Sequence, residues 1–489
     1  MLKPTFPAQT ELEMVTLEQL VPQGHLLRLI DQHITFDFIR EQTEHLYCPN
    51  NGRPAIDPVV LFKMLFIGYL FGIRSERRLV QEIEVNVAYR WFLGLRLTDQ
   101  VPDASTLSQN RRRRFAGTGI EQRIFDGIVE QAIAHKLIGG RVLYTDSTHL
   151  KANANKRQVL VHQVEQTPTA YLAELEAAVT ADRAVVGKPP LKGDDDDTPP
   201  PTKEIKTSPV DPEAGFMARD NKPTGFFYLD HRTVDGVHAM IVDTHVTPGN
   251  VHDSQPYLAR LDRVRERFAL PVGAVGLDAG YLIPAVCKGL IERELFAVMG
   301  YKRPSHRDGY FYKREYRYDP EVDGYHCPGG QLLPYRTTNR QGYREYVSDP
   351  RQCIACPHLA QCTQSRNHQK LITRHVWESY KAEIDANRLT EVGKRLYARR
   401  KETVERSFAD AKELHGHRYA RFRGLAKVQA QCLLSAACQN MKKMALLLAR
   451  KKSKVDIYCR NSRRLFVMTA MWLWSALSTG IAPMQTTMA

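Results

Sequence analysis

Arg141-Val142-Leu143-Tyr144-Thr145-Asp146 is the stretch on which the reading of the fold turns. It follows the turn signal Gly139-Gly140, is rich in β-formers and ends on an acid, which predicts a short strand carrying a carboxylate at its end. Downstream, the apolar runs Gly225 to Asp230 and Ala239 to Asp243 flank Asp235-Gly236, a hairpin signal. Val272 to Asp278 and Leu295 to Met299 predict two further strands, with helix-like segments around 254–268 and 284–293 between them. A strand, a hairpin, then alternating helices and strands predict an α/β core: one mixed sheet with helices on its faces.

Outward from this sheet the sequence changes character. From Val21 to about Phe115 apolar residues recur at three- and four-residue spacings, as in Pro58-Val59-Val60-Leu61-Phe62-Lys63-Met64, so residues 15–115 are expected to form an all-helical module. Its last helix, capped by Asp103 or Ser105, runs into Arg111-Arg112-Arg113-Arg114. Four guanidinium groups there suit DNA phosphates, and a solvated charged face is the plainer alternative. Residues 138–300 are expected as the first part of the core, 302–375 as a cysteine-bearing insertion, 380–450 as helices completing the core, and 451–489 as a C-terminal tail. Gly193 to Pro201 is acidic and proline-rich, so about residues 185–212 are expected to be a mobile surface loop, with Asp194 to Asp197 a solvated charge run.

At 489 residues the chain exceeds one ordinary core, so several domains are expected. Its net charge of +15 clusters at Arg111 to Arg114, Arg399-Arg400-Lys401 and Lys451-Lys452, which suits a polyphosphate partner because neutralising phosphates releases counterions. Basic charge by itself is also common in proteins that bind no nucleic acid. The chain does not open on a basic flank and apolar run, so the cytoplasm is expected rather than export. Leu465 to Ile481 carries no charge and is long enough to raise the question of a membrane span, but Ser475, Ser478, Thr479 and Gly480 dilute it. A packed helix or a loose tail is the preferred reading.

Asp146 and Asp278 are expected at the ends of neighbouring strands, where open sheets place their sites. Two divalent cations about 3.5–4 Å apart can serve in-line attack on a phosphodiester, and such ions need carboxylate oxygens rather than a closed cage. Glu405, on a helix expected over Thr403 to Leu414, is the third candidate. Lys412 lies seven residues on, nearly two turns, so the two share a face about 10 Å apart, with Phe408 anchoring that face to the sheet. Glu402 is the rival, but position 409, seven residues on, is alanine. Taken singly, a strand-end aspartate also reads as a turn residue and Glu405 as one half of a surface ion pair.

Nine cysteines include four between Cys327 and Cys362: Cys327, then Cys353 and Cys356 in a Cys-x-x-Cys, then Cys362. In a reducing compartment such a set points to a structural Zn2+ site, and the loop-rich sequence between them is not expected to build a core of its own. His326 and His358 are substitute ligands.

Asp146 in Thr145-Asp146-Ser147-Thr148, Asp278 in Asp278-Ala279-Gly280-Tyr281, and Val404-Glu405-Arg406-Ser407-Phe408 followed by Lys412 resemble the motifs of DDE-type insertion-sequence transposases. Ser75 to Leu79, Trp91 to Leu95 and Pro102 to Thr106 resemble the helical N-terminal domain of the same family, and Thr247 to Asp253 resembles the segment after its hairpin. The matches run from about residue 15 to residue 445. The resemblance implies a ribonuclease-H-like catalytic core and a small zinc-ribbon-like insertion. It implies that Asp146, Asp278 and Glu405 hold a pair of Mg2+ or Mn2+ ions, and that the enzyme cuts and joins DNA. Double-stranded DNA, as terminal inverted repeats and target, would be the partner, with a homo-oligomer acting on it at the bacterial nucleoid and no small-molecule cofactor. Arg111 to Arg114, Arg400, Lys401, Arg406 and Lys412 would contact DNA phosphates, and Ser147, Thr148 and Tyr281 would support the site. A catalytically inactive DNA-binding relative and a ribonuclease-H-like nuclease are the alternatives.

In one respect the sequence departs from the pattern. Relatives carry tyrosine and arginine seven and four residues before the glutamate, where this chain has Ala398 and Lys401, and Tyr397 and Arg400 stand one place off.

Overall fold

The computed structural model describes residues 12–48, 50, 55–165, 170–191, 202–218, 223–301 and 307–478. The chain divides into two compact units, one of Met1–Leu137, Leu414–Gly416 and Leu433–Ala489, the other of Ile138–Glu413 and His417–Cys432. Among the described residues no helix is long and apolar enough to cross a membrane.

Among the described residues the first unit opens with eight α-helices: α1 (Leu17–Leu20), α2 (Leu26–His33), α3 (Asp37–Thr43), α4 (Pro58–Leu70), α5 (Glu76–Val85), α6 (Val87–Leu93), α7 (Ala104–Asn110) and α8 (Ile120–Ala134). Asp57 accepts from the Val59 N–H and Pro58 occupies the first turn, which starts α4. Its apolar residues go all round, and Leu61, Phe62, Met64, Phe66, Ile67 and Leu70 are buried, as expected of a helix enclosed by others. The unit runs past the expected boundary at residue 115. In α8, Ile120, Ile124, Phe125, Ile128, Val129 and Ala132 are buried, an apolar stripe that belongs to the same core.

The second unit is built on one sheet. Its strands are β1 (Val142–Lys151), β4 (Gly215–Met217), β5 (Gly225–Asp235), β6 (Ile241–Pro248), β7 (Ala274–Leu277) and β8 (Phe296–Met299), while β2 (Leu160–Glu165) and β3 (Thr202–Thr207) form a separate antiparallel ribbon. β5 lies antiparallel between β1 and β6, and β1, β7 and β8 run parallel, giving the ribonuclease-H-like order β6-β5-β1-β7-β8 with β4 also on β5. Helices α9 (Ala170–Val185), α10 (Tyr257–Arg267) and α11 (Pro284–Ile291) connect these strands. Every residue of β5 is buried, as for a central strand with both faces covered.

Three expectations are corrected here. Asp146 is not the last residue of its strand: β1 continues to Lys151, because Ser147 to Lys151 keep pairing with β5. Part of the expected 185–212 loop is β3, whose polar Thr-Lys-Glu-Ile-Lys-Thr pairs with β2 along its whole length. Asp194 to Asp197 lie outside the described residues. The cysteine-bearing insertion does build a core. Its strands β9 (Arg317–Asp319), β10 (Gly324–His326), β11 (Leu332–Thr338), β12 (Tyr343–Val347) and β13 (Leu371–His375) form an antiparallel sheet over Tyr316, Tyr325, Leu333, Tyr346 and Ile372. Tyrosines supply the apolar area that the loop-like composition concealed.

Short helices α12 (Pro350–Ile354) and α13 (Leu359–Cys362) carry Cys353 and Cys362, and Cys356 lies between them. After it come α14 (Glu378–Asn387), α15 (Glu391–Ala398), a π-helical turn over Lys401–Glu405, α16 (Arg406–Leu414) and α17 (Leu425–Ser478). The helix α17 extends well into the expected tail.

Candidate active site

β1 pairs with β7 only from Val142 to Thr145, opposite Ala274 to Leu277. The next residues along the chain are Asp146, still within β1, and Asp278, just past the end of β7, so both carboxylates stand where that parallel ladder stops. The third, Glu405, ends the π-helical turn.

All three converge on one side chain. Arg400 Nη2 donates to Asp146 Oδ2 at 2.9 Å, while Nη1 lies 3.7 Å from Asp278 Oδ1 and 4.0 Å from Glu405 Oε1. The arginine is 4% exposed, whereas Asp278 and Glu405 are 54% and 47% exposed, so the cluster is open on the carboxylate side and closed behind the guanidinium. Burial pushes the Asp146 carboxyl up to about 6, with Asp278 and Asp253 adding to the rise and Arg400 and the Ser147 N–H opposing it.

The π-helical turn accounts for the displaced arginine. The Glu405 N–H bonds to the Arg400 carbonyl five residues back, at 3.2 Å. A π-turn accommodates one residue more than an α-turn, so Arg400, five places before Glu405, reaches the carboxylates as a residue four places before would in a regular helix. Tyr397 follows it: its hydroxyl accepts from Arg400 Nη1 at 3.4 Å. Gly300, just after β8, permits this approach, since a Cβ there would stand 2.5 Å from the Tyr397 hydroxyl.

The other expected DNA contacts separate by exposure. Lys401 and Arg406 are exposed, and Lys412 is half-buried. Burial, then the charges of Arg418 and Arg232, hold the Lys412 ammonium below its usual range against the pull of Asp146 and Asp230. Phe408 is buried with the Arg232 guanidinium 4.9 Å over its ring. The rival Glu402 is exposed and forms none of the Arg400 contacts of the trio. In the helical unit the four arginines divide. Arg111 pairs with Glu76 and Arg114 lies 4.1 Å over the Tyr47 ring, whereas Arg112 and Arg113 are exposed.

Sequence reasoning passed over two features. Asp253 acts electrostatically on Asp146, and although its segment Thr247 to Asp253 stood out as a motif, its carboxylate was not weighed as a site residue. Beside the site lies a buried network. Asp230 accepts from Arg232 Nε at 2.8 Å, from the Thr244 hydroxyl at 2.6 Å and pairs with His417 Nε2 at 2.8 Å. Arg232 also reaches the Ser407 hydroxyl at 3.3 Å, which ties β5 to the helix that follows Glu405. Burial pushes Asp230 up, but Arg232, His417 and Thr244 outweigh it and hold the carboxyl well below the ordinary range. Polar residues inside a strand that reads as core, Asp230 and Arg232 two apart, were the available signal.

Two matches bear on what this arrangement belongs to. Residues 15–113 match the family described as a transposase domain, DUF772, and residues 326–445 match the family described as a transposase DDE domain. Two separate stretches of the chain thus match transposase families. Among solved structures the chain is similar to a piggyBac transposase synaptic complex with hairpin DNA, at 12% identity and a TM-score of 0.36, covering 88% of this chain and 76% of that one. It is also similar to a Mos1 transposase paired-end complex, at 12% identity and a TM-score of 0.16, covering 51% and 61%. No curated protein matches it.

DDE transposases use divalent metal ions, and the donor types here fit them: three carboxylates supply hard oxygen donors around one positive charge. Among the described residues, the one set of three metal-capable side chains with ligand atoms all within 4.8 Å of one another is Asp230, His417 and Cys432. Both oxygens of Asp230 are already engaged there, so that set is read as structure. In the insertion, Cys327, Cys353, Cys356 and Cys362 line one cavity with His358. A Cβ on Gly329 would stand 3.5 Å from Cys356 Sγ and 3.7 Å from Cys327 Sγ, and the Gln331 N–H donates to Cys327 Sγ at 3.3 Å. These sulfurs share one cavity, but no three of them lie within 4.8 Å of one another. His326 instead faces Asp319 at 3.3 Å.

Proposed function

We propose that this protein is the DNA transposase of a bacterial insertion sequence, acting on terminal inverted repeats by strand cleavage and strand transfer with Asp146, Asp278 and Glu405 as its catalytic carboxylates. The supporting observation is the convergence of these three, from two strand positions and a helix, on Arg400. Both reactions are in-line attacks at phosphorus, by water and then by the freed 3′-hydroxyl, and what protein residues contribute is position and charge. Asp146, Asp278 and Glu405 would hold two Mg2+ or Mn2+ ions, which when bound supply Lewis acidity to the phosphodiester oxygens. Lys412, Arg406, Lys401 and Arg400 would bind phosphates flanking the scissile one, with the exposed Arg112 and Arg113 contacting DNA from the helical module. Ser147, Thr148 and Tyr281 would shape the site. The four cysteines would hold a structural Zn2+ that fixes the insertion, and the protein would act as a homo-oligomer on DNA at the nucleoid, without a small-molecule cofactor.

Pre-nicked repeat ends offered with a target plasmid and Mg2+ test this reading. A transposase joins the ends to the target. Cutting without joining indicates a nuclease, binding without either reaction a catalytically inactive relative, and each result overturns the proposal.

A further inference from the structure

The carboxylate trio is arranged around a guanidinium, and its oxygens are not gathered within 4.8 Å of one another. Arg400 therefore occupies the space toward which all three acids point. A positive side chain so placed stabilises the acids in the metal-free protein and repels any cation that comes to them. The arginine is itself poorly satisfied. Its Nε has no hydrogen-bond partner, Nη1 makes a 3.4 Å bond to Tyr397, and only Nη2 makes a short bond, to Asp146. A planar fork with donors to spare is suited to two oxygens of a phosphate.

We propose that Arg400 is a resident counter-ion that makes divalent cations and DNA load this site together. Without DNA the guanidinium stays among the carboxylates and weakens cation binding. A backbone phosphate at the site offers Arg400 a better set of acceptors, draws it off the carboxylates and so raises their affinity for the cation. By reciprocity the cation raises affinity for the phosphate by the same factor. The device would keep the protein from acting as a free-running, metal-loaded nuclease. It rests on the reading of Asp146, Asp278 and Glu405 as the metal-holding set.

The test is Mn2+ binding, followed by electron paramagnetic resonance, with and without a short duplex cut from the end of the element. Arg400→Gln should bind Mn2+ about tenfold more tightly than wild type when DNA is absent, and should respond less to added DNA. Wild-type protein supplies a readout that does not depend on the variant's folding: its Mn2+ affinity should rise about tenfold when the duplex is added. No rise in wild type, or an Arg400→Gln affinity equal to wild type without DNA, overturns the proposal. Asp146→Asn and Glu405→Gln separate the two levels of the argument. If both keep wild-type Mn2+ binding, the carboxylate reading itself fails. If both lose it while Arg400→Gln matches wild type, the reading stands and the counter-ion role falls.

Discussion

Two arginine–carboxylate constellations lie side by side on one face of the central sheet, Asp146 standing opposite Arg232 and Thr148 opposite Asp230 in the β1–β5 register. Around Asp230 the carboxylate is fully engaged. Asp230 and Arg232 are fully buried, and both carboxylate oxygens have donors, from Thr244 on one and from Arg232 and His417 on the other. Around Asp146 one guanidinium is shared among three acids, two of them half-exposed, and a buried nitrogen of that guanidinium has no partner. The residue types are the same. The difference lies in the acids: a buried carboxylate with both oxygens engaged specifies structure, whereas half-exposed carboxylates sharing one guanidinium keep oxygens open to a ligand.

The largest effect expected from this contrast is on chemistry. Asp278→Asn should lower cleavage of repeat-end DNA at least about a thousandfold, because several kcal/mol of transition-state stabilisation depend on the ions it would hold. Urea unfolding of the same variant should stay within about 1 kcal/mol of wild type, since its carboxylate is half-exposed. A large loss of stability with cleavage intact would break the comparison. Next comes Asp230→Ala, which leaves Arg232 and His417 buried without their acid and should cost about 3–5 kcal/mol in unfolding experiments. A cost near zero would show that the network is not closed. The smallest effect is expected from Gly300→Ala. The added Cβ would press on the Tyr397 hydroxyl that Arg400 uses, costing about 1–3 kcal/mol of stability, and Arg400 should shift with it. A wild-type melting curve would place that contact outside the supporting structure.

The sheet was legible because its strands are rich in β-formers and set off by glycine: Gly139-Gly140 before β1 and Asp235-Gly236 in the hairpin mark it where the structure has it. Elements whose stabilising contacts leave little apolar trace were not. β3 is polar and pairs in an isolated ribbon, so no period-2 apolar pattern announces it. The insertion's core rests on Tyr316, Tyr325 and Tyr346, scattered through a loop-like composition. Asp146 looked terminal because the residues after it are mostly polar, although β5 goes on pairing with them. Arg400 was misplaced by counting. Spacing along a helix assumes a constant turn, and one π-helical turn moved the residue by a place without any change in its chemistry.

That same turn makes Glu405 the carboxylate whose assignment matters most, since Glu402 stands three residues away on it. The direct test is Mg2+-dependent cleavage of repeat-end DNA by Glu405→Gln and Glu402→Gln, assayed side by side on protein shown to be folded. Cleavage lost in Glu405→Gln and retained in Glu402→Gln is the predicted result. The reverse pattern, or wild-type cleavage by Glu405→Gln, would contradict the account.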